Sequence, residues 1–294
     1  MIKPQFIIIG AAKSGTTTLY QYLCRHPQIF MSTPKEPDFF SVDTHYDRGM
    51  DWYESLFGQA KPDQICGEAS TTYSRLQQYP HTVERLVKAL PEVKLIYIMR
   101  HPVDRAYSFY IHRFKGARHK PELAVEKTFE ETIVKQSEFI DSSFYFYQIE
   151  QYLKFYPRES FLFLPMEDLI QRPHETICQI LTFIGADPQI NLTEESTIVA
   201  NKAEDDSEWF VRKKMTSSFN KIPGFEQLKA FFPKSWKDQA YQWLRRAKYQ
   251  QWKSQQYMPP PMLAETRQML LEKFRQPNQQ LAEFLNWDLS HWNR

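Results

Sequence analysis

The fourteen residues Phe6-Ile7-Ile8-Ile9-Gly10-Ala11-Ala12-Lys13-Ser14-Gly15-Thr16-Thr17-Thr18-Leu19 constrain this chain more than any other stretch. The unbroken apolar run from Phe6 to Ile9 reads as a strand buried on both faces. A loop of small residues follows, and then a helix must begin. In that arrangement successive backbone N–H groups converge on one point and the positive end of the helix dipole reinforces them, so the loop is suited to a phosphate or sulfate. Lys13 adds a full positive charge, and Ser14, Thr16, Thr17 and Thr18 add hydroxyl donors around Gly15. Three β-branched threonines are poor helix openers unless their hydroxyls serve the N-terminus. Glycine is scarce, 8 in 294 residues, so two of them in one loop, Gly10 and Gly15, carry weight.

A nucleoside-triphosphate loop reads G-x-x-x-x-G-K-[ST], which aligned on Gly10 and Gly15 puts its lysine at position 16. Thr16 stands there, and the lysine comes earlier, at Lys13. Further apolar runs bounded by turn residues predict strands over Lys94 to Met99, Ser160 to Leu164 and, more weakly, Gln64 to Glu68. Amphipathic stretches between them predict helices over Thr16–Arg25, His81–Leu90, Val103–Arg113, Phe129–Lys135, Phe144–Phe155 and Glu175–Ile184, and a final helix from Glu265 through Leu285. Strand then helix, repeated, implies an α/β fold with a central parallel sheet flanked by helices in three layers. Ligands in such sheets gather beyond the C-terminal strand ends, so chemistry is sought just after Ile9, Glu68 and Met99.

Lys94 to Met99 delivers Arg100 to such an end, and Pro102 suits the first position of the following helix. The guanidinium of Arg100 offers a planar fork matched to phosphate. On that helix Ser108 and His112 are four apart and Arg105 lies three before Ser108, so one face is expected to carry phosphate donors together with a titratable imidazole. The chain thus presents two anion sites at two strand ends.

Composition narrows the remaining classes. The chain has 37 basic and 35 acidic side chains, a formal net charge of +2, which excludes a bulk electrostatic grip on nucleic acid. Three cysteines, Cys24, Cys66 and Cys178, are widely spaced and form no C-x-x-C pair, so reduced thiols and a cytoplasmic location are expected, with no metal cage. No run reaches the roughly 18 apolar residues of a membrane span. The whole chain, 1–294, reads as one domain carrying a helical insertion at about 205–257. From Asp205 to Tyr257 there are 11 Lys or Arg against 5 Asp or Glu, interleaved with tryptophans, which suits a solvated helical piece, a platform for a sugar-like or anionic acceptor, or peripheral membrane contact.

Lys13 before Ser-Gly-Thr-Thr resembles the 5′-phosphosulfate loop of sulfotransferases that use 3′-phosphoadenosine-5′-phosphosulfate (PAPS). Arg100-His101-Pro102-Val103-Asp104-Arg105-Ala106-Tyr107-Ser108 resembles the family's 3′-phosphate motif, in which the Arg and the Ser hold that phosphate. Lys35-Glu36-Pro37-Asp38-Phe39-Phe40 and Asp51-Trp52-Tyr53 are similar to the heparan-sulfate branch, including its N-sulfotransferase domains, and the tail from Asn278 to Trp292 looks like the closing helix of bacterial members.

The resemblance implies a P-loop-like fold and a PAPS-dependent enzyme that leaves PAP as product, with no metal expected. It assigns the nucleotide to Lys13, Ser14, Gly15, Thr16, Thr17, Thr18, Arg100 and Ser108. Glu36 matches the glutamate that serves as general base in heparan-sulfate-type enzymes, and His112 matches a histidine of the N-sulfotransferase branch in a supporting role. Lys13 is expected to stabilise charge on the leaving phosphate oxygen. The acceptor is a hydroxyl or amine on a small molecule, carbohydrate or lipid. Three departures stand on the acceptor side: Ala69 replaces the lysine of the family's Glu-Lys-(Ser/Thr) segment at Glu68-Ala69-Ser70, Asp38 stands where enzymes of the 3-hydroxyl carry a histidine, and no Lys-Gly-Arg loop precedes the final helix. A nucleoside-triphosphate phosphotransferase and a non-catalytic PAP binder are the competing classes; the missing lysine after Gly15 opposes the first, and Glu36 with His112 the second.

Overall fold

The computed structural model describes residues 2–117, 121–190, 192 and 259–294; the expected insertion at about 205–257 lies outside the described residues. Five strands, β1 (Phe6–Gly10), β2 (Ile29–Met31), β3 (Ile65–Ala69), β4 (Lys94–Met99) and β5 (Phe161–Pro165), form one sheet in the order β2-β3-β1-β4-β5. Every neighbouring pair is parallel. The helices among the described residues are α1 (Thr16–Leu23), α2 (Asp43–Tyr46), α3 (Gly49–Ser55), α4 (Thr82–Ala89), α5 (Pro102–Gly116), α6 (Phe129–Lys135), α7 (Glu138–Asp141), α8 (Tyr145–Leu153), α9 (Met166–Gln171), α10 (Pro173–Ile184) and α11 (Ala264–Leu285).

The apolar runs are unbroken because alternate residues of a strand feed opposite layers. Ile7 and Ile9 of β1 join Leu95, Tyr97 and Met99 of β4 in one core with Tyr53, Leu86, Ile149, Tyr152 and Leu281. Phe6 and Ile8 join Ile96 and Ile98 on the other side with Leu19, Leu23, Ile177, Ile180 and Ile184. A third cluster packs α5 against α6, α7 and the first half of α11 through Val103, Tyr110, Phe129, Phe139, Leu270 and Phe274. All four expected strands form, and so does each helix expected among the described residues. The three-residue β2 was not expected: its run is too short to show a period.

β1 lies at the middle of the sheet, with β3 on one side and β4 on the other. The loops leaving β1, β3 and β4 therefore open at one edge, where a ligand can be held by several of them at once. Trp292, fully buried near Tyr145, pins the C-terminal tail beneath that edge.

Candidate active site

The loop after β1 is shaped by its two glycines. Gly10 sits at φ 151°, and a Cβ there would lie 2.0 Å from Ser74 Oγ, so only glycine lets the loop pass Ser74. Gly15, at φ 92°, is the N-cap of α1 and offers no capping side chain, so the first-turn amides of Thr16, Thr17 and Thr18 are left without a side-chain cap. Lys13 takes φ 69°, a left-handed conformation unusual for a residue with a Cβ. The Ala11 amide donates to the Ile98 carbonyl at 2.7 Å, which fastens the loop to β4. Thr16 is buried and Thr17 and Thr18 are half-buried at the helix start; Ser14 is fully buried, its side chain facing the Tyr145 phenol. A cradle emptied of side-chain bulk beside uncapped amides and a lysine fits a terminal phosphate or sulfate.

Arg100 leaves the end of β4 beside this loop. Its Nη1 donates to the Lys13 carbonyl at 3.5 Å, while the Tyr145 hydroxyl donates to the Arg100 carbonyl at 2.7 Å. The two sequence motifs, far apart in the chain, thus meet across one hydrogen bond. Pro102 begins α5, His101 caps it by accepting from the Asp104 amide, and Arg267 holds Asp104 at 2.8 Å. Ser108 is half-buried two turns along, and His112 is on the exposed side one turn further. Arg105 departs from the expected face. It is fully buried, donating from Nε to Ser143 Oγ at 2.6 Å and from Nη2 to the Phe139 carbonyl, so it turns into the core that α5 shares with α7. The helical period gives the angle of a side chain about the axis, but the packing of α7 decides how deep that side lies.

Opposite, the segment from Lys35 to Ser41 is laid against the end of β3 and the turn after it. The Glu36 amide donates to the Ala69 carbonyl at 3.0 Å, the Asp38 amide to Ser70 Oγ at 3.1 Å, and the Phe40 amide to the Tyr73 hydroxyl at 3.3 Å. Glu36 and Asp38 both sit at positive φ, 59° and 52°, strain of about 1 kcal/mol or more each that these bonds must hold in place. Aromatic packing anchors the far end: Phe39 stacks on Tyr53 at 4.7 Å, and Phe40 meets Tyr53 edge-on at 5.0 Å. This is why Phe39-Phe40 and Trp52-Tyr53 occur together.

Three carboxyl groups collect here. Glu36 is exposed, with Lys35 Nζ at 2.6 Å and the Thr71 hydroxyl donating to it at 3.4 Å. Asp38 accepts from the Thr72 hydroxyl at 2.6 Å; burial, aided by the charge of Glu36, pushes its carboxyl up to about 6 despite that bond. Glu68 is fully buried at the end of β3, neither oxygen in hydrogen-bond geometry with a donor although the Tyr53, Tyr73 and Ser70 hydroxyls face it. Burial, with the charge of Asp38 behind it, pushes Glu68 up to about 7. The sequence put the Glu68-Ala69-Ser70 segment on the acceptor side and did not reveal the acid character of Glu68 and Asp38, which arises only because the Lys35-to-Ser41 segment covers the end of β3. The hydroxyls of Thr71 and Thr72 were missed as well; their one signal was a polar run at a strand end.

Among the described residues no group of three or more His, Cys, Asp or Glu side chains could hold a metal ion, and no helix is long and apolar enough to cross a membrane.

The sulfotransferase domain family model matches residues 3–278. The human bifunctional heparan sulfate N-deacetylase/N-sulfotransferase 3 is 29% identical over 218 residues, covering 68% of this chain and 24% of that protein. The mouse heparan sulfate glucosamine 3-O-sulfotransferase 5 is 30% identical over 195 residues, covering 64% of this chain and 55% of that protein. The chain therefore spans about a quarter to about half the length of these curated relatives. A solved sulfotransferase from Alicyclobacillus acidocaldarius superposes with a TM-score of 0.67 at 23% identity over all of both chains, which places the fold in the P-loop-like class.

Proposed function

This chain belongs to the sulfotransferase family, whose general activity is PAPS-dependent sulfuryl transfer, and we propose that it moves the sulfuryl group to a hydroxyl or amine by in-line displacement with Glu36 as general base. The observation that carries this reading is the contact between Arg100 Nη1 and the Lys13 carbonyl. It sets the loops leaving β1 and β4 side by side, which suits a single nucleotide charged at both its 3′ and 5′ positions.

When bound, PAPS supplies an activated sulfuryl group on a phosphate leaving group. Lys13 and the amides of Gly15 to Thr18 bind the 5′ end, and Arg100 with Ser108 binds the 3′-phosphate. Lys13 then stabilises the negative charge that grows on the leaving oxygen, an interaction strongest in the transition state. Glu36 takes the acceptor's proton as its oxygen or nitrogen attacks. Lys35 and Thr71 keep that carboxylate oriented, and His112 lies on α5 where it orients the acceptor. The two relatives named above are heparan sulfate enzymes, and a carbohydrate is the acceptor class we extend to this chain first.

PAP added without magnesium should raise the melting temperature by mass action, and ATP at the same concentration should raise it much less. Equal stabilisation by the two nucleotides contradicts the reading.

A further inference from the structure

Arg105 is a buried cation whose counter-charge is missing. It is fully buried in the first turn of α5. Ser143 Oγ, itself donating to the Pro102 carbonyl at 2.9 Å, and the Phe139 carbonyl satisfy Nε and Nη2, while Nη1 has no partner. Among the described residues no carboxylate pairs with it. The Tyr145 and Tyr97 phenols beside it are held neutral by burial, and the charged groups nearest in effect, Arg75 and Arg100, are of like sign. Burial pulls its guanidinium down to about 10. Taking a charge out of water without a partner is costly, so such a group persists only where something else compensates it.

Its position indicates what that is. Arg105 precedes Ser108 by three residues, which on a helix puts their Cβ atoms about 5–6 Å apart. Tyr145, which feels the Arg105 charge, donates its hydroxyl to the Arg100 carbonyl and faces Ser14, so Arg105 lies behind the junction of the two anion sites. A charge in the interior is screened far less than one in solvent, and it is already in place before a ligand arrives.

Resting on the reading that the donor is PAPS, we propose that Arg105 is a positioning residue for the nucleotide: its unpaired charge, fixed behind Arg100 and Ser108, is balanced by the bound 3′-phosphate and makes the site prefer 3′,5′-bisphosphates without touching them. A merely structural arginine would affect every nucleotide alike. This role affects only those that carry the 3′-phosphate.

The test is calorimetric titration of the whole chain with PAP and with adenosine 5′-phosphate. Arg105→Met should weaken PAP about tenfold and leave adenosine 5′-phosphate within about twofold, since only the former loses a charge partner. Arg105→Lys, which keeps the charge, should retain most of the preference. Equal weakening of both nucleotides, or of neither, overturns the inference. If Arg105→Met does not fold, the Arg100→Ala/Ser108→Ala double variant decides: with both direct ligands gone it should still prefer PAP severalfold, and equal affinities overturn the proposal. Equal binding of the two nucleotides by the unsubstituted chain would remove the donor assignment, and this inference with it; a preference for PAP that survives unchanged in Arg105→Met would remove the inference alone.

Discussion

The two sides of the cleft are built from opposite materials. On the side proposed to hold the donor the groups are backbone amides, Lys13 and Arg100, each issuing from the end of a central strand and tied to its neighbour by hydrogen bonds to β4 and Tyr145. On the side proposed to face the acceptor the groups are carboxyls, Glu36, Asp38 and Glu68, two of them on a loop held in left-handed conformations by its contacts with β3 and the turn beyond. Positive charge fixed on a rigid sheet suits a ligand that is always the same anion. Carboxyls on a strained loop suit proton transfer to and from a partner that differs between enzymes. Binding and chemistry should therefore come apart when one side is altered and the other left alone.

The largest effect follows from the one exposed carboxylate. Glu36→Gln keeps the loop's backbone bonds and should lower turnover about 10²–10⁴-fold, the usual contribution of a positioned base, with PAP affinity unchanged in the same preparation. A variant that loses PAP binding in step with turnover would erase the division between the two sides. The effect of Glu68 is smaller and is read in stability. Its folded-state pKa, about 7, lies above the ordinary 4.5, so the protonated form is favoured by folding. Its contribution to stability is complete below about pH 4.5, declines as the pH rises, and is lost through pH 7. Glu68→Gln should match the unsubstituted chain near pH 4.5 and exceed it by on the order of 3 kcal/mol at pH 8 in denaturant melts, because glutamine carries no charge to bury. If the unsubstituted chain is the more stable at pH 8, Glu68 is held as a carboxylate and the description of the acceptor side is wrong.

The same contrast explains what the amino-acid sequence reveals. The donor loop is legible because its strand, glycines, lysine and helix start are contiguous, so local conformation alone builds the site. Arg100 is legible for the same reason: a strand delivers it and Pro102 starts the next helix. Arg105 was read as a phosphate donor because spacing of three puts it on the face of Ser108; only the packing of α7 turns it inward. The acceptor side is legible residue by residue through the Lys35-to-Phe40 motif, but its electrostatics are not. Burial raises both Asp38 and Glu68, and the charges that add to it, Glu36 on Asp38 and Asp38 on Glu68, meet only because the Lys35-to-Ser41 segment lies against the end of β3, far away along the chain.

The central claim is that Lys13 and Arg100 hold the two ends of one nucleotide. A crystal structure of the chain with PAP tests it most directly. The account predicts the 5′-phosphate on the amides of Gly15 to Thr18 beside Lys13, and the 3′-phosphate on Arg100 and Ser108, with one adenosine between them. PAP bound at only one of these places, or elsewhere on the sheet edge, would contradict it.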